Sequence, residues 1–346
     1  MQIGSRNIGA GAPVYVVAEL SANHQGDLHR AAETIRAASE AGADAIKLQT
    51  YTADTLTIDC GNEYFRIGKG TPWSDQTLYK LYQEAATPWE WHAELKQVAG
   101  SVGLDFFSTP FDRTAVDFLE ELGAPAYKVA SFEIVDIPLL QRIAGTRRPV
   151  ILSTGMATLA EIDEAVRTLR ESGCTELALL KCTSAYPAEP SDMHLRTIPH
   201  LAQAFGVPVG LSDHTLTTAV PAAAVAVGAC IVEKHFILAR DLGGPDSSFS
   251  LEPSEFREMV NAIRTVEAAM GRVHYGADVA EEAGRCFRRS LFVVEDVRKG
   301  AAVTDVNVRS IRPGHGLHTR HFETVKGRTF KQDVARGTPL EWGMLM

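Results

Sequence analysis

Short apolar segments recur along the first two thirds of the chain, and the stretches between them have the spacing of amphipathic helices. The segments occupy residues 15–20, 44–50, 105–110, 126–131, 150–155, 177–182, 209–214 and 230–235. Runs of this length that are rich in β-branched and aromatic residues are typical of buried strands. The pattern predicts eight βα units.

Eight consecutive βα units predict a (β/α)₈ TIM barrel, an α/β fold. A doubly wound sheet is the alternative, but such sheets usually have fewer strands at this chain length. The dinucleotide-binding version is excluded because no GxGxxG follows the first strand. We predict the last barrel helix over about 253–270 and a barrel domain over 1–270.

The composition changes near Gly284. Residues 284–346 contain twelve Lys and Arg against six Asp and Glu, whereas the whole chain has a net charge of −9. Within this basic tail, DVRKGAAV at 296–303 resembles DVARGTPL at 333–340, and the glycine of each could form a turn between short strands. We predict a small all-β domain over 284–346 and a linker over 271–283.

Composition and cysteine usage narrow the class of protein. The content of 45% hydrophobic and 22% charged residues is that of a globular protein, and the negative net charge disfavours nucleic-acid binding. The longest stretch of small apolar residues, 219–232, is too short to cross a membrane. The N-terminus has no export-signal pattern, and the five cysteines form no CxxC pair, so we expect a cytoplasmic protein with reduced thiols that serve in packing.

Polar residues end nearly every predicted strand, which is where a (β/α)₈ barrel has its active site. They are Glu19, Lys47, Gln49, Ser108, Thr109, Lys128, Ser131, Ser153, Thr154, Lys181, Ser212, Asp213, His214, Glu233, Lys234 and His235. Lysines interleaved with hydroxyls predict a site for a ligand that carries phosphate and carboxylate. For each lysine the alternative is an ion pair with a neighbouring carboxylate, which we favour for Lys181 and Lys234.

His214 and His235 end consecutive strands, so their imidazoles could bind one divalent metal ion. The alternative is a pair of hydrogen-bonded core histidines. Asp213 and Glu233 are candidates for orienting the two rings. The candidate acid–base or hydroxyl-binding carboxylates are Glu19 and Glu133.

The connection after the second strand, residues 51–75, is long for a βα loop and rich in Gly, Asp and aromatic residues. It is either a lid over the site or a surface excursion, and the sequence favours neither.

Several motifs, in chain order, resemble the sialic acid synthase family. They are AELSANH at 18–24, AGADAIKLQTYT at 41–52, STPF at 108–111, YKVASFE at 127–133, ILSTGMAT at 151–158, KCTSAYP at 181–187, GLSDHT at 210–215 and EKHF at 233–236. SIRPGHGL at 310–317 resembles the antifreeze-like (SAF) domain that ends this family's chains. The resemblance therefore covers essentially the whole chain.

Within that family, four features resemble the branch that makes pseudaminic acid. They are AELSANH in place of an AEIG-type start, TPWEWH at 87–92, KCTSAYP, and DSSFSLEPSEF at 246–256. The sialic and legionaminic acid branches typically have His at the position of Lys181 and Asn at that of Ser184.

The resemblance implies a transferase that condenses phosphoenolpyruvate with an open-chain N-acetylated amino sugar and water, releasing phosphate by C–O cleavage. In the pseudaminic branch the sugar is 2,4-diacetamido-2,4,6-trideoxy-L-altrose, and in the neuraminate and legionaminate branches it has the manno configuration. Carried over by position, the phosphoenolpyruvate-binding residues are Lys47, Thr109, Lys128, Ser131, Ser153, Ser184 and Ser212. The sugar-binding residues are Gln49, Tyr186, Asp246 and Arg312, with Glu133 also placed at the sugar.

The family also implies a metal, catalytic groups and an assembly. His214 and His235 would hold the metal, with Mn²⁺ expected and Mg²⁺ or Co²⁺ as alternatives, and Glu19 and Glu133 would join them as catalytic residues. The counterpart of Arg312 reaches the sugar in the other subunit, which implies a domain-swapped homodimer whose SAF domain caps the partner's active site. Products of this branch generally serve bacterial surface or flagellar glycosylation.

Two other function classes fit parts of the sequence. A Schiff-base pyruvate aldolase would use a barrel lysine such as Lys128 or Lys181 but gives the two histidines no role. A carbohydrate-binding or ice-binding module is suggested only by the tail.

Overall fold

The structure is a computed structural model that describes residues 1–68, 73, 74 and 76–346, and the chain forms two compact units, Met1–Gly271 and Arg272–Met346. The strands of the first unit are β1 (Gln2–Ile3), β2 (Arg6–Asn7), β3 (Tyr15–Glu19), β4 (Ala45–Thr50), β5 (Asp105–Pro110), β6 (Tyr127–Val129), β7 (Val150–Ser153), β8 (Leu177–Cys182), β9 (Val209–Asp213) and β10 (Ile231–His235). Its helices are α1 (Leu28–Glu40), α2 (Ala53–Leu56), α3 (Leu78–Ala85), α4 (His92–Ser101), α5 (Arg113–Leu122), α6 (Ile137–Gly145), α7 (Leu159–Glu171), α8 (Thr197–Phe205), α9 (Ala219–Ala226) and α10 (Pro253–Met270).

Strands β3 to β10 form a closed parallel barrel in chain order, with β10 paired to β3. The predicted (β/α)₈ barrel is therefore confirmed, and the doubly wound sheet is excluded. Each of the eight apolar segments contains one barrel strand, and α10 has the bounds predicted for the last barrel helix. In the described part of the chain, no helix combines the length and apolarity that a bilayer crossing requires.

The barrel interior changes from apolar to polar along the strands. Towards their N-terminal ends, the inward side chains form one buried cluster that includes Tyr15, Val17, Phe107, Ile151 and Ile231. Ile3 and Ile8, from the β1–β2 hairpin and just after it, belong to the same cluster and cover this end of the barrel. Because side chains alternate along a strand, the same faces carry the polar residues nearer the C-terminal ends.

Short capped connections lead from the polar strand ends into the helices. The Asp112 carboxylate accepts hydrogen bonds from the backbone of Thr114 at 2.9 Å and Ala115 at 3.2 Å at the start of α5. Thr158 and Glu161 form a capping box at the start of α7. Such caps satisfy the free amides of the first helical turn and fix where each helix begins.

The second unit contains α11 (Val279–Glu282), the antiparallel strands β11 (Ser290–Val293) and β12 (Val308–Ile311), and α12 (Phe322–Val325). Its buried core includes Leu291, Val293, Val308, Phe330 and Leu340. Further isolated bridges extend the β structure, as the small β domain predicted for the tail requires. The exact domain limits of 270 and 284 stay a prediction.

The two similar segments of the tail pair with each other. Val297 and Val334 exchange two backbone hydrogen bonds of 2.9 Å each. Asp296 and Asp333 each accept a hydrogen bond from the backbone of the opposite segment, at 2.8 and 2.7 Å. The glycine of each segment has a positive φ, +84° and +87°, as a turn position requires. The repeat in the sequence is thus a pair of mutually bonded turns.

A substitution at Gly210 tests how tightly the barrel interior is packed. A Cβ at this inward position of β9 would overlap the carbonyl oxygen of Ile231 and lie 2.7 Å from Leu180 Cδ2. We expect Gly210→Ala to lower the free energy of unfolding by about 2 kcal/mol, since overpacking forces backbone shifts. Urea unfolding followed by circular dichroism measures this.

The matched control is Gly100→Ala on α4, where an added Cβ meets no atom within 4 Å. This variant should be neutral or more stable by up to about 1 kcal/mol, as expected from helix propensity. Equal stabilities of the two alanine variants would contradict the packing argument.

Candidate active site

The C-terminal mouth of the barrel holds a buried cluster of opposite charges. Lys47 Nζ lies 2.9 Å from Glu19 Oε2 and 3.3 Å from Glu233 Oε1. Lys128 Nζ lies 3.7 Å from the same Glu233 oxygen. All four side chains point into the barrel and are at most 5% exposed. The sequence predicts either ligand-binding lysines or ion-paired lysines at the strand ends. Lys47 and Lys128 lie at the barrel mouth, where a ligand could bind, and are also paired with carboxylates.

The cluster shifts the pKa values of the two lysines in opposite directions. Burial alone would lower the pKa of Lys47, but the carboxylates of Glu19 and Glu233 outweigh it and raise that pKa. Burial lowers the pKa of Lys128, and Glu233 only partly offsets this effect. Lys128 donates to Ser153 Oγ at 2.7 Å, and Lys47 donates to Thr109 Oγ1 at 3.3 Å. A bound dianion would add negative charge beside both ammonium groups.

Hydroxyl groups crowd around a glycine next to Lys128. The backbone N–H of Gly155 donates to Ser131 Oγ at 3.1 Å. A Cβ at Gly155 would overlap Ser184 Oγ and lie 2.7 Å from Ser131 Oγ. Only glycine leaves space here, and the two hydroxyls beside it suit an anionic oxygen. Ser212 Oγ lies nearby in the barrel, 3.4 Å from Glu233 Oε1.

The two predicted metal-binding histidines are adjacent, with ring centroids 5.3 Å apart. Nδ1 of His214 lies 2.9 Å from the carbonyl oxygen of Thr183, so it must donate, and Nε2 is the ring nitrogen that could bind a metal. Burial would lower the pKa of His214, but a hydrogen bond with Cys182 and the charge of that thiol outweigh it and raise the pKa. His235 Nδ1 is buried and has no hydrogen-bond partner. Burial, with the nearby charge of His214, holds the pKa of His235 well below its ordinary value, which favours the neutral, metal-binding form.

These histidines fit a metal ion as a two-imidazole site. Among the residues that the structure describes, no group of three or more His, Cys, Asp or Glu side chains is arranged to hold one. Asp246 Oδ2 is 3.9 Å from His235 Nδ1. The protein thus offers two nitrogen ligands, and the remaining ligands would be water or substrate oxygens, as suits a labile divalent ion.

An aromatic wall stands beside the histidines. Tyr186 packs against His214 at 4.5 Å and Phe249 at 5.0 Å between ring centroids. Trp73 lies 5.4 Å from Tyr186, and its Nε1 donates to the carbonyl of Pro245 at 2.8 Å. The 51–75 connection therefore reaches the site through Trp73, which favours the lid. Residues 69–72 and 75 of that connection lie outside the described residues.

A hydrogen-bonded chain runs from the lysine cluster towards Asp246. Gln49 Nε2 donates to Glu19 Oε1 at 3.0 Å and to Ser21 Oγ at 2.8 Å. The Ser21 hydroxyl donates in turn to Asp246 Oδ2. Sequence reasoning missed Ser21, although it stands in the AELSANH motif, because serine commonly caps helices and turns.

The NeuB family model matches residues 34–275, and the SAF domain model matches residues 288–346. This chain belongs to the NeuB family. Its resemblance to sialic acid synthases, predicted from short motifs, is thereby confirmed.

Named relatives of this NeuB-family chain match it along nearly its full length. It is 44% identical to the pseudaminic acid synthase of Helicobacter pylori, over 95% of this chain and 96% of that protein. It is 37% identical to the N,N'-diacetyllegionaminic acid synthase of Legionella pneumophila, over 98% and 96%. A crystal structure of the spore coat polysaccharide biosynthesis protein SpsE from Bacillus subtilis is 35% identical, covers 100% of this chain and 99% of that one, and gives a TM-score of 0.68.

Three of the charged strand-end residues of this NeuB-family barrel point away from the site, and so does Ser108, which bonds Thr50 Oγ1 at 2.7 Å on the outer side of the strands. Lys234 and Asp213 form a fully buried ion pair of 2.6 Å on the outer face of the strands, between barrel and helices. Lys181 donates to the carbonyl of Cys182 at 2.7 Å and is also on the outer face. The prediction that Asp213 orients a histidine is wrong, because strand alternation turns it outward. Glu233, the other proposed orienter, contacts the two site lysines instead.

Cys182 was predicted to serve in packing and instead lies in the site. Its sulfur is 3.9 Å from Ser184 Oγ. Burial would raise the pKa of Cys182, but a hydrogen bond with His214 and the charges of His214 and Lys128 outweigh it and lower the pKa to about 6. Cys182 follows Leu180 by two residues on β8, so both side chains face the barrel interior. This spacing is the sequence signal that could have identified it.

Glu133 is a largely buried carboxyl near Lys128. Burial raises its pKa to about 7, and the positive charge of Lys128 opposes this effect only in part. Its Oε2 has no hydrogen-bond partner. Glu133 can therefore exist in both protonation states near neutral pH, as an acid–base group requires.

Because its pKa is raised in the folded chain, Glu133 lowers the free energy of unfolding as the pH rises. Below pH 4.5 the carboxyl is protonated in both folded and unfolded chains. Between pH 4.5 and 7 only the unfolded chain ionises, so the wild type loses stability relative to Glu133→Gln. The variant should gain on the order of 3 kcal/mol over the wild type between pH 4 and pH 8. Urea unfolding at both pH values measures the difference.

Glu164→Gln, at an exposed position of α7, is the surface control for that experiment. A Glu133→Gln variant whose stability follows that of the wild type at both pH values would show that Glu133 ionises normally.

Proposed function

We propose that this protein condenses phosphoenolpyruvate with 2,4-diacetamido-2,4,6-trideoxy-L-altrose and water to give pseudaminic acid and phosphate. The observation that carries the proposal is the pair of buried lysines in the same barrel mouth as two adjacent imidazoles. Membership of the NeuB family and the similarity to pseudaminic acid synthases over nearly the whole chain support it.

Phosphoenolpyruvate is proposed to bind at the lysine cluster. Lys47 and Lys128 supply positive charge in a buried setting, where an ion pair with a dianion is stronger than in water. The hydroxyls that would direct its oxygens are those of Thr109, Ser131, Ser153, Ser184 and Ser212. Since Lys128 already donates to Ser153, the ammonium and hydroxyl groups from which a ligand oxygen would accept are in place before binding.

The sugar is proposed to lie between the aromatic wall and the hydrogen-bonded chain. Tyr186 would pack against the sugar, and Gln49 and Asp246 would hydrogen-bond its polar groups. Glu133 would also contact it from the Lys128 side.

A divalent cation is proposed at His214 and His235, with Mn²⁺ expected before Mg²⁺ or Co²⁺. When bound, it would act as a Lewis acid on the sugar aldehyde. The protein's own groups hold the two carbon centres together, C3 of phosphoenolpyruvate against the aldehyde carbon. The lysines stabilise the phosphate while water adds at C2 and the C–O bond breaks. Glu19 and Glu133 are proposed to move the protons, since desolvation raises the pKa of both carboxyls.

We also propose a domain-swapped homodimer in which Arg312 reaches the sugar in the other subunit. Supporting this, the segment that begins the second unit exposes apolar side chains, with Val273 88% and Tyr275 90% exposed in the single chain. Arg312 itself is exposed, so its guanidinium is available to a partner. A cytoplasmic location and a role in flagellin glycosylation stay predictions.

The acceptor sugar is tested by phosphate release from phosphoenolpyruvate with Mn²⁺ present. We expect release with 2,4-diacetamido-2,4,6-trideoxy-L-altrose and none with N-acetylmannosamine or 2,4-diacetamido-2,4,6-trideoxy-D-mannose. A chelator should abolish the activity, and added Mn²⁺ should restore it. Release only with a manno sugar would keep the family chemistry and refute the pseudaminic assignment, whereas no release would favour an aldolase or binding module.

The cap is tested by Arg312→Ala, with Arg298→Ala at another exposed position of the second unit as control. We expect the KM for the sugar to rise about tenfold in the first variant, from loss of a charge-assisted hydrogen bond, and to stay unchanged in the second. Steady-state kinetics measures both. An unchanged KM in Arg312→Ala, or full activity after truncation at Ala283, would refute the cap.

A further inference from the structure

Ser21 adopts a backbone conformation that costs energy for a residue with a side chain. It follows β3 at the barrel mouth with a φ of +47° and is 2% exposed. Left-handed φ values favour glycine, because a Cβ then crowds the following carbonyl. A serine held there in a buried site points to a role for its hydroxyl.

The hydroxyl of Ser21 fixes the orientation of the Gln49 amide. Glu19, paired with Lys47 at 2.9 Å, acts as an acceptor, so the Gln49 atom 3.0 Å from it must be the amide nitrogen. The second hydrogen of that nitrogen goes to Ser21 Oγ at 2.8 Å. Both amide hydrogens are thereby used within the protein, and Gln49 Oε1 is left as the acceptor for a ligand.

The same hydroxyl holds the Asp246 carboxylate. Its single hydrogen goes to Asp246 Oδ2, because the carboxylate accepts while the Gln49 amide nitrogen donates to the hydroxyl oxygen. The backbone N–H of Ala22 donates to the same carboxylate. One turn, Ser21 with Ala22, therefore clamps Asp246, whose Oδ2 is 3.9 Å from His235 Nδ1.

We propose that Ser21 is the positioning residue of the sugar site, since its hydroxyl couples the Gln49 amide to the Asp246 carboxylate and sets which atoms of both face the acceptor. Ser21 lies between residues contributed by β4 and by the loop after β10, and no other described side chain bonds to both. The proposal rests on the proposed function, because it takes Gln49 and Asp246 to be the groups that bind the sugar.

Two substitutions at Ser21 separate the effect of losing the hydroxyl from the effect of relieving the backbone strain. Ser21→Ala removes the hydroxyl and keeps a Cβ at positive φ, whereas Ser21→Gly removes the hydroxyl and relieves the strain. We expect the KM for the acceptor sugar to rise about tenfold in both, the effect of one lost hydrogen bond to a charged group. The KM for phosphoenolpyruvate should change less than about twofold. Thermal melting should place Ser21→Gly above Ser21→Ala.

A role in stability alone would make KM follow the melting temperature, so that Ser21→Gly recovers acceptor binding. That result, or an unchanged acceptor KM in both variants, would overturn the proposal. Arg147→Gly is the matched control: Arg147 has a φ of +57°, is exposed, and lies between α6 and β7, away from the polar strand ends. It should leave both KM values unchanged.

The wild-type enzyme tells the two hypotheses apart. If it releases no phosphate with the L-altrose sugar but does so with a manno sugar, the proposed function fails, and the Ser21 variants are then compared with that manno sugar. If it turns over the L-altrose sugar and the variants bind that sugar as the wild type does, only the Ser21 proposal fails.

Discussion

The buried charge cluster of Lys47, Lys128, Glu19 and Glu233 is the constraint on which the rest of the site depends. Transferring a single ion from water into a protein interior costs several kcal/mol, so four such groups persist only because they are paired and hydrogen-bonded. The barrel supplies this pairing because β3 and β4 place Glu19 beside Lys47, and because Glu233 on β10 reaches both lysines across the barrel interior. Two carboxylates hold two ammonium groups at the mouth before any ligand arrives.

The apolar layer beneath that cluster defines its lower boundary. Phe107, Leu180 and Ile231 fill the interior where Gly210 leaves no space for another atom. This packed apolar layer gives the ion pairs a low-dielectric setting on their inner side. Stability at one end of each strand and chemistry at the other come from the same alternating pattern.

Sequence reasoning recovered the barrel because eight short apolar segments with helical spacers admit few other arrangements. It also identified the lysines and histidines at the ends of those segments, because ammonium and imidazole groups are unusual in a protein core. It misassigned Asp213, since a polar residue at a strand end can face either way and only the register determines which. Cys182 and Ser21 escaped notice because their residue types suit packing and turns equally well. Their roles depend on partners distant in the chain, such as Asp246 for Ser21.

The paired turns of the tail have a consequence for how that unit becomes ordered. Each turn is held by an aspartate of the other segment, across 34 and 40 positions of the chain. Neither turn can complete its hydrogen bonds until the distant segment has arrived, so the contacts that close this unit are non-local and must form together. A ribosome-bound chain would therefore leave the first segment without its partner until residues 333–340 had left the exit tunnel.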